Sequence, residues 1–315
     1  MPPTLQDIQH AAQRIEPYIH HTPVLTNRSL DERVEAQVFL KCENMQKVGA
    51  FKFRGACNAV LSLTEAEAAS GVATHSSGNH AQALAHAAQL RGMPAYIVMP
   101  DNAPTVKKAA VAGYGGQITF CEPTLEARER TLAQVVEKTG ANLVHPYNDA
   151  RVIAGQGTAA LEFLEEFPNL DVIVAPVGGG GLLSGISIAA TETKAGIRVI
   201  GAEPEMADDA YRSLQAGAIL PARKPQTIAD GLLTSLGSLT FPIIQQRVEQ
   251  IVTVSELGIV DGMRFVWERL KIIIEPSAAV AVGVLWERKI DLTGLKVGII
   301  LSGGNVDLQR LPWHS

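Results

Sequence analysis

The sequence has few cysteines, little excess charge and few long apolar runs. These are the features that mark disulfide-bonded, nucleic-acid-binding and membrane proteins. Its three cysteines, Cys42, Cys57 and Cys121, form no C-x-x-C pair and no even set for disulfide bonds. This pattern favours a reducing compartment, and we predict a cytoplasmic protein. The 27 basic and 32 acidic residues of the 315-residue chain give a net charge of −5 without a long run of either sign. We therefore predict no nucleic-acid partner and a small-molecule ligand.

Only one uncharged stretch, residues 172–191, approaches the length of a membrane span. Pro176 and four consecutive glycines interrupt it, so a buried strand, a loop and a helix explain it better. The N-terminal residues carry Asp7 and Glu16 and have no apolar core, which does not fit a signal peptide. The sequence accordingly predicts no membrane association.

Short apolar runs alternate along the chain with segments of helical periodicity. Predicted strands lie at 37–41, 95–99, 117–121, 172–175, 198–202 and 297–301, and predicted helices include 79–91, 124–138 and 182–194. Apolar strands that alternate with helices are typical of parallel sheets covered on both faces. We predict an α/β fold of the doubly wound type.

The order of these elements along the chain indicates the domain organisation. No internal repeat and no low-complexity linker divides the chain, so a second lobe must be an insertion into the first. Residues 71–144 hold three successive strand and helix units of their own. We predict a large domain of residues 1–68 and 147–315, and a small inserted domain of residues 69–146, each with a parallel sheet.

Four glycines, residues 178–181, follow a predicted strand and precede a predicted helix. Exposed backbone amides at the start of a helix form an anion site suited to phosphate. A flexible turn is the alternative. A dinucleotide fingerprint does not fit, because a G-x-G-x-x-G pattern begun at Gly178 places Leu183 where the third glycine belongs.

Lys52 lies between two aromatic residues in the segment G-A-F-K-F-R-G at 49–55. A Schiff-base lysine needs a partly desolvated amine to react with an aldehyde, and Phe51 would pack against the ring of such a cofactor. The alternative is an ordinary exposed lysine on a strand. Two further loops, S-S-G-N-H at 76–80 and S-G-G-N at 302–305, fit either a carboxylate-binding or cofactor-binding loop or an ordinary turn.

Taken together, these segments resemble the serine/threonine dehydratase and serine racemase family of pyridoxal-5′-phosphate (PLP) enzymes. These are fold-type II enzymes, similar to the tryptophan synthase β-subunit, with two doubly wound parallel-sheet domains. The resemblance covers nearly the whole chain. It also includes H-T-P-V-L at 21–25, V-I-A-G-Q-G-T at 152–158, T-I-A-D-G at 227–231 and I-E-P at 274–276.

The resemblance implies a role for each matching residue. Lys52 would bind PLP as a Schiff base, Asn79 would donate to the ring hydroxyl, and Ser302 would face the pyridine nitrogen. The cofactor phosphate would be bound by the backbone amides of Gly178, Gly179, Gly180, Gly181 and Leu182. The substrate carboxylate would be bound by Ser76, Ser77, Asn79 and His80.

The implied activity is removal of the Cα proton of serine, threonine or 3-hydroxyaspartate by Lys52. Elimination of the β-hydroxyl then gives a 2-oxo acid and ammonia, or a group on the opposite face inverts Cα. Ser77 occupies that second position in the serine racemase pattern, so the chain resembles the racemase and hydroxyaspartate dehydratase branch most. The alternatives are a dedicated 3-hydroxyaspartate dehydratase with little serine activity, a β-replacement enzyme, and a non-catalytic PLP-binding or amino-acid-binding protein.

The resemblance also implies ligands outside the reaction. Glu203, Asp209 and the carbonyl of Ala207 would hold a divalent cation, Mg²⁺, Ca²⁺ or Mn²⁺, although an acidic surface turn is the alternative. ATP would be an effector, and the chain would form a homodimer. The residues matched to ATP are Gln82, Tyr114, Lys271 and Asn305.

The preferred substrate stays open at this level. A second carboxylate, as in 3-hydroxyaspartate, needs a cation or strong hydrogen-bond donors. Arg128, Arg151 and His145 are candidates by their proximity to the loops above, although each residue type is usually solvated. In addition, Tyr147 stands where animal serine racemases carry an asparagine, so the resemblance implies no role for this position.

Overall fold

The computed structural model describes residues 1–76, 78–103 and 105–313, which form two β-sheets with helices on their faces. The strands are β1 (Val24–Thr26), β2 (Gln37–Lys41), β3 (Val72–His75), β4 (Ala95–Pro100), β5 (Gln117–Cys121), β6 (Asn142–Leu143), β7 (Val172–Pro176), β8 (Arg198–Pro204), β9 (Gln250–Val254) and β10 (Lys296–Ile300). The helices are α1 (Leu5–Ile15), α2 (Arg28–Val34), α3 (Lys52–Leu61), α4 (Glu65–Ala69), α5 (Asn79–Arg91), α6 (Thr105–Gly113), α7 (Leu125–Thr139), α8 (Ala150–Glu166), α9 (Gly181–Thr193), α10 (Asp209–Ala216), α11 (Thr240–Arg247), α12 (Glu256–Phe265) and α13 (Pro276–Trp286).

The larger sheet has the order β1-β2-β10-β7-β8-β9 and the smaller one the order β5-β4-β3-β6. Every described pairing is parallel except that of the edge strand β1 with β2. The strands of the smaller sheet all lie within residues 72–143, and the others lie on both sides of that range in sequence. The exact domain bounds stay a prediction.

Strand β7 illustrates why the larger sheet is covered on both faces. Val172 and Val174 belong to one buried cluster with residues of α13, whereas Ile173 and Ala175 belong to another with residues of α9. Alternate side chains of a strand point to opposite faces, so a strand buried on both faces must be apolar throughout. The doubly wound α/β prediction is therefore confirmed.

All six strands predicted from the sequence are present, and their ends differ from the prediction by at most two residues. The predicted helices at 79–91, 124–138 and 182–194 correspond to α5, α7 and α9. Four strands were missed: β1, β3, β6 and β9. The strands β1 and β6 are too short to show a periodicity, and β3 and β9 include polar residues within their apolar runs.

The parallel arrangement brings several loops to the carboxyl ends of the strands, where ligands bind in folds of this class. β7 leads into the glycines before α9, β10 into the loop at 302–305, and β3 into the loop before α5. Among the described residues, no helix combines the length and apolar character needed to cross a bilayer.

Gly298 tests the packing at the centre of the larger sheet. A Cβ atom there would lie 2.6 Å from Cε1 of the buried Phe163. We expect Gly298→Ala to lower the free energy of unfolding by about 1–3 kcal/mol, because a close-packed core does not accept an extra methyl group. In the control Gly113→Ala, nothing lies within 4 Å of the added atom, and the change should stay within about 0.5 kcal/mol. Urea unfolding measures both, and equal effects would contradict this view of the core.

Candidate active site

Lys52 is the first residue of α3, and its amine is enclosed where α3 meets the segment before α8. Its Nζ donates a hydrogen bond to the carbonyl oxygen of Pro146 at 3.0 Å. Burial lowers the pKa of Lys52 to about 8, although the nearby Glu275 acts in the opposite direction. A larger fraction of this amine is therefore neutral near pH 7 than of an exposed lysine. The alternative of an exposed strand lysine is wrong.

The four glycines connect β7 to α9, and neighbouring residues lie close to their backbone. Gly180 has φ of +87°, a conformation that favours glycine, and no side chain caps the N-terminus of α9. The first backbone amides of a helix lack intrahelical partners and carry partial positive charge. This loop therefore has the free donors that a phosphate group requires.

Tyr147 forms one wall of this loop, a role that the sequence did not reveal. A Cβ atom on Gly179 would lie 2.3 Å from the Tyr147 ring, so the ring contacts bare backbone. Burial raises the pKa of the Tyr147 phenol. Tyr147 therefore connects two parts of the site. Its ring packs on the glycine loop, and it directly follows Pro146, whose carbonyl oxygen accepts the Lys52 hydrogen bond.

Asn79 lies at the start of α5 and is held by two partners. Its Nδ2 donates to Oε1 of Glu275 at 2.9 Å, and its Oδ1 accepts from Nδ2 of Asn305 at 3.0 Å. The backbone amide of Asn305 also donates to Oε2 of Glu275 at 3.2 Å. Burial raises the pKa of Glu275 to about 7. In the sequence, Glu275 stands out only as part of the I-E-P motif, and the structure places it in the hydrogen-bond network around Asn79.

Ser302 lies next to the segment that carries Lys52. The backbone amide of Phe51 donates to the carbonyl oxygen of Ser302 at 3.0 Å, and Ala50 forms a β-bridge with Gly303. The ring centroid of Phe51 lies 5.1 Å from Nζ of Lys52. The end of β10 and the start of α3 are therefore held together by backbone contacts.

Two histidines near Lys52 are held in their neutral form. Nδ1 of His145 accepts hydrogen bonds from the backbone amides of Tyr147 and Asn148, so its proton lies on Nε2. Burial lowers the pKa of His145 to about 4, with further contributions from His75 and Lys52. Burial also holds the pKa of His80 well below its usual value. Both rings therefore act as uncharged hydrogen-bonding groups at neutral pH.

The other candidates for substrate binding have different surroundings. Arg151 is committed to Asp149, with Nη2 and Oδ2 separated by 2.6 Å, so it is already neutralised. Burial lowers the pKa of His75, at the end of β3, and the nearby positive charge of Arg128 lowers it further. Ser76 lies in the loop before α5, and its Oγ accepts from the amide of Gly78 at 3.3 Å. The predicted catalytic Ser77 lies outside the described residues.

The residues predicted to bind a cation lie at the end of β8 and in the segment that leads from it into α10. The carboxylate of Glu203 accepts from the amides of Ala210 and Tyr211 at 2.8 and 2.7 Å. Asp209 is buried, and neither of its carboxylate oxygens has a hydrogen-bond partner among the described residues. Burial raises the pKa of Asp209 to about 7 and that of Glu203 to about 9. Ala207, the third predicted ligand, ends the intervening 3₁₀ turn.

The residues matched to ATP are spread over several elements. Gln82 is buried on α5, Tyr114 follows α6 and packs against His86, and Lys271 follows a π-helical turn after α12. Asn305 is bonded to Asn79 as described above. Among the described residues, no hydrogen bond or ion pair joins any two of these four. The nucleotide site therefore stays a prediction.

A partly buried amine of lowered pKa and a glycine loop at the start of a helix are the two features that an aldehyde cofactor with a phosphate group requires. A family model for pyridoxal-phosphate dependent enzymes matches residues 15–303. The chain belongs to this family. Lys52 and the glycine loop are thus available in a PLP-dependent enzyme for the two ends of its cofactor.

Individual relatives agree with this family. The chain is 51% identical over 312 residues to a β-hydroxyaspartate dehydratase of Paracoccus denitrificans, covering 99% of both chains. It is 52% identical to a serine racemase of Dictyostelium discoideum, covering 98% of this chain and 96% of the relative. The crystal structure of Dictyostelium serine racemase matches with a TM-score of 0.93 over 97% of this chain and 99% of that one. The predicted fold-type II PLP enzyme is therefore confirmed.

The enclosed amine makes Lys52 the testable link to the cofactor. We expect Lys52→Ala to abolish the visible absorption band of bound PLP, because the substitution removes the amine that would react with the cofactor aldehyde. Lys47→Ala is a suitable control, since Lys47 lies just before α3 with its Nζ 5.8 Å from the Phe53 ring centroid. A band of unchanged intensity in Lys52→Ala would contradict the assignment.

Proposed function

We propose that this PLP-dependent enzyme removes the Cα proton of a small β-hydroxy amino acid and then either eliminates the hydroxyl or inverts Cα. The supporting observation is the partly buried Lys52 amine, which lies 3.0 Å from the Pro146 carbonyl and has a pKa lowered to about 8. The similarity to a β-hydroxyaspartate dehydratase and to serine racemases supports the choice of substrate class. Serine, threonine and 3-hydroxyaspartate are the candidate substrates.

Bound PLP would accept the electron pair left on Cα when the proton departs. In this mechanism, Lys52 would hold the cofactor, and its free amine would take the Cα proton as a general base. A lysine with a pKa near the working pH suits this role, because it is neutral often enough to accept a proton and basic enough to retain it. In elimination the Cα–H and Cβ–O bonds would break and the hydroxyl would leave as water, which takes up one proton for the one removed from Cα. Hydrolysis of the unsaturated amine would then consume one water and yield a 2-oxo acid and ammonia.

The loop before α5 would bind the substrate carboxylate through Ser76, Ser77, Asn79 and His80. Among the described residues, no side chain caps the N-terminus of α5, so its amides would donate hydrogen bonds to an anion. The glycine loop and Leu182 would bind the cofactor phosphate, Asn79 the ring hydroxyl, and Ser302 would face the ring nitrogen. Glu275 and Asn305 would hold Asn79 in that position.

A second carboxylate on the substrate would distinguish 3-hydroxyaspartate from serine. Arg128 and the Nε2–H of His145 are the better candidates for binding it, because Arg151 is already paired with Asp149. The alternative to a broad activity is a dedicated 3-hydroxyaspartate dehydratase with little activity on serine. Comparing kcat/KM for L-serine, L-threonine and the isomers of 3-hydroxyaspartate decides between them, and no turnover of any of these would contradict the proposed function.

Ser77 would return a proton to the face of Cα opposite Lys52. We expect Ser77→Ala to lower D-serine formation from L-serine by about 100-fold, with a much smaller effect on pyruvate formation, because only inversion needs a second acid/base. In the control Ser76→Ala, both products should fall in parallel, since that hydroxyl would only help to bind the carboxylate. Equal losses in Ser77→Ala, or none, would show that Ser77 is not the second acid/base.

We further propose that Glu203, Asp209 and the carbonyl of Ala207 hold Mg²⁺, Ca²⁺ or Mn²⁺. The unpartnered carboxylate of Asp209, buried beside Glu203, supports this site, because buried charges require a counter-charge or a metal. Among the described residues, no group of three histidine, cysteine or acidic side chains could hold a metal ion. The proposed site instead combines two carboxylates with one carbonyl. The cation would stabilise the segment between β8 and α10 and take no part in the reaction.

Thermal unfolding tests the cation site. We expect EDTA to lower the Tm and Mg²⁺ to restore it, because binding to the folded state at 100 times Kd adds about 2.7 kcal/mol. Asp209→Asn should remove this response. The control Asp208→Asn should retain it, since Asp208 is paired with Arg212 at 2.8 Å. A Tm that is insensitive to chelation in the unmodified protein would overturn the metal proposal and leave the PLP chemistry unaffected.

The homodimer, the ATP effector and the cytoplasmic location stay predictions. Gel filtration with light scattering, activity titrated with Mg-ATP, and localisation of a tagged protein would test them in turn.

A further inference from the structure

Four charged side chains, Lys41, Glu43, Arg54 and Glu162, form a buried ion cluster next to α3. Lys41, Glu43 and Arg54 are fully inaccessible, and Glu162 is 9% exposed. The two cations balance the two carboxylates. None of these residues belongs to the proposed catalytic machinery, but Arg54 is only two positions from Lys52.

Arg54 makes the most directional contacts in the buried ion cluster. Its Nε and Nη2 donate to the two oxygens of Glu43 at 2.7 and 2.8 Å, and its Nη1 lies 3.0 Å from Oε2 of Glu162. The two-point contact with Glu43 fixes the guanidinium plane as well as its position. Because Glu43 follows β2 and Glu162 lies on α8, Arg54 ties α3 to both elements.

The segment H-T-P-V-L and the end of β2 complete the buried ion cluster. Nζ of Lys41 lies 2.5 Å from Oε1 of Glu162 and 2.7 Å from the carbonyl oxygen of Thr22. Thr22 Oγ1 donates to Glu43 at 2.7 Å, and its backbone amide donates to Glu162 at 2.9 Å. Motif segments far apart in the sequence therefore converge here, although the proposed function gives them no role.

Helix α8 lies between α3, which begins at Lys52, and α9, which follows the glycine loop, and it is in close contact with both helices. A Cβ atom on Gly155 would lie 2.6 Å from the carbonyl oxygen of Arg54, so α3 touches one side of α8. A Cβ atom on Gly157 would lie 2.8 Å from the carbonyl oxygen of Gly185, so α9 touches another. Residues two apart in a helix differ by about 200° around its axis, which explains why two nearby glycines face two different helices.

The same rotation places Lys52 and Arg54 on nearly opposite sides of α3. Lys52 points to Pro146, which precedes α8, and Arg54 binds Glu162 near the end of α8. Buried ion pairs contribute little stability compared with apolar packing, and their best-attested use is to specify one geometry. The buried ion cluster is therefore suited to holding α3 at one position on α8.

We propose that the buried ion cluster sets the position of the Lys52 amine relative to the glycine loop, with Arg54 as its principal positioning residue. The proposal rests on Lys52 as the PLP-binding amine, as proposed above. If α3 is released from Glu43 and Glu162, the amine loses its enclosed position and becomes more hydrated. Its pKa then rises toward that of an exposed lysine, because less desolvation opposes the charged form.

The test follows PLP recombination with the full-length chain freed of cofactor, measured by formation of the visible band as a function of pH. In Arg54→Lys, which keeps the charge but loses the two-point contact, we expect the midpoint to rise by about one pH unit and the rate near pH 7 to fall about tenfold. The milder Thr22→Val should shift the midpoint in the same direction by less. Thr22→Val takes the place of Arg54→Lys in this test if Arg54→Lys does not fold.

Two controls separate positioning from general destabilisation. Arg198→Lys makes the same change in the two-point pair of Arg198 with Glu249, at 2.8 and 2.9 Å, on the surface. Val280→Ala weakens the core at α13 far along the chain from the buried ion cluster. Both should keep the wild-type midpoint, even if their Tm falls.

The outcomes are distinct. An unchanged midpoint in folded Arg54→Lys and Thr22→Val, or the same shift in the controls, would overturn the inference. Borohydride reduction and peptide mapping of the wild type must find PLP on Lys52, and attachment elsewhere would overturn it as well. A normal band on Lys52 without turnover of any β-hydroxy amino acid would count only against the proposed function.

Discussion

The close contact of α8 with α3 on one side and with α9 on another is the constraint on which the site depends. Gly155 and Gly157 allow the three helices to approach until backbone atoms touch. Lys52 begins α3, and the glycine loop leads into α9. A reactive amine and a phosphate cradle must keep a constant separation to serve the two ends of one cofactor, and rigid helices in backbone contact provide it better than loops.

The electrostatics of the site follow from burial. Lys52, His80 and His145 all have lowered pKa values with desolvation as the largest cause, and burial raises the pKa of Glu275. Each shift favours the neutral form of the group. With little fixed charge around a neutral amine, a bound substrate carboxylate and cofactor phosphate would be the main anions of the proposed site, and the N-termini of α5 and α9 would receive them.

Two residues further along α3, buried groups keep their charges and do not become neutral. In the buried ion cluster, the charges are kept and compensated by one another, and the Arg54 guanidinium holds the pKa of Glu162 below its usual value in spite of burial. The two sides of α3 thus differ in physical character. The Lys52 side can exchange a proton, whereas the Arg54 side is fixed by four mutually neutralising charges.

The sequence by itself determined the α/β class, six of the strands, three of the helices and the glycine loop between β7 and α9, because apolar periodicity and glycine-marked turns are local signals. Only the tertiary structure decided the rest. It placed Tyr147 against Gly179, Glu275 against Asn79 and Glu162 against Arg54, and it paired Arg151 with Asp149. The Asn79, Gly179 and Arg54 contacts join residues far apart in the chain, whereas Arg151 and Asp149 are neighbours whose pairing depends on side-chain orientation. Such contacts leave no periodicity in the sequence, since the packing of helices and sheets, and not local propensity, creates them.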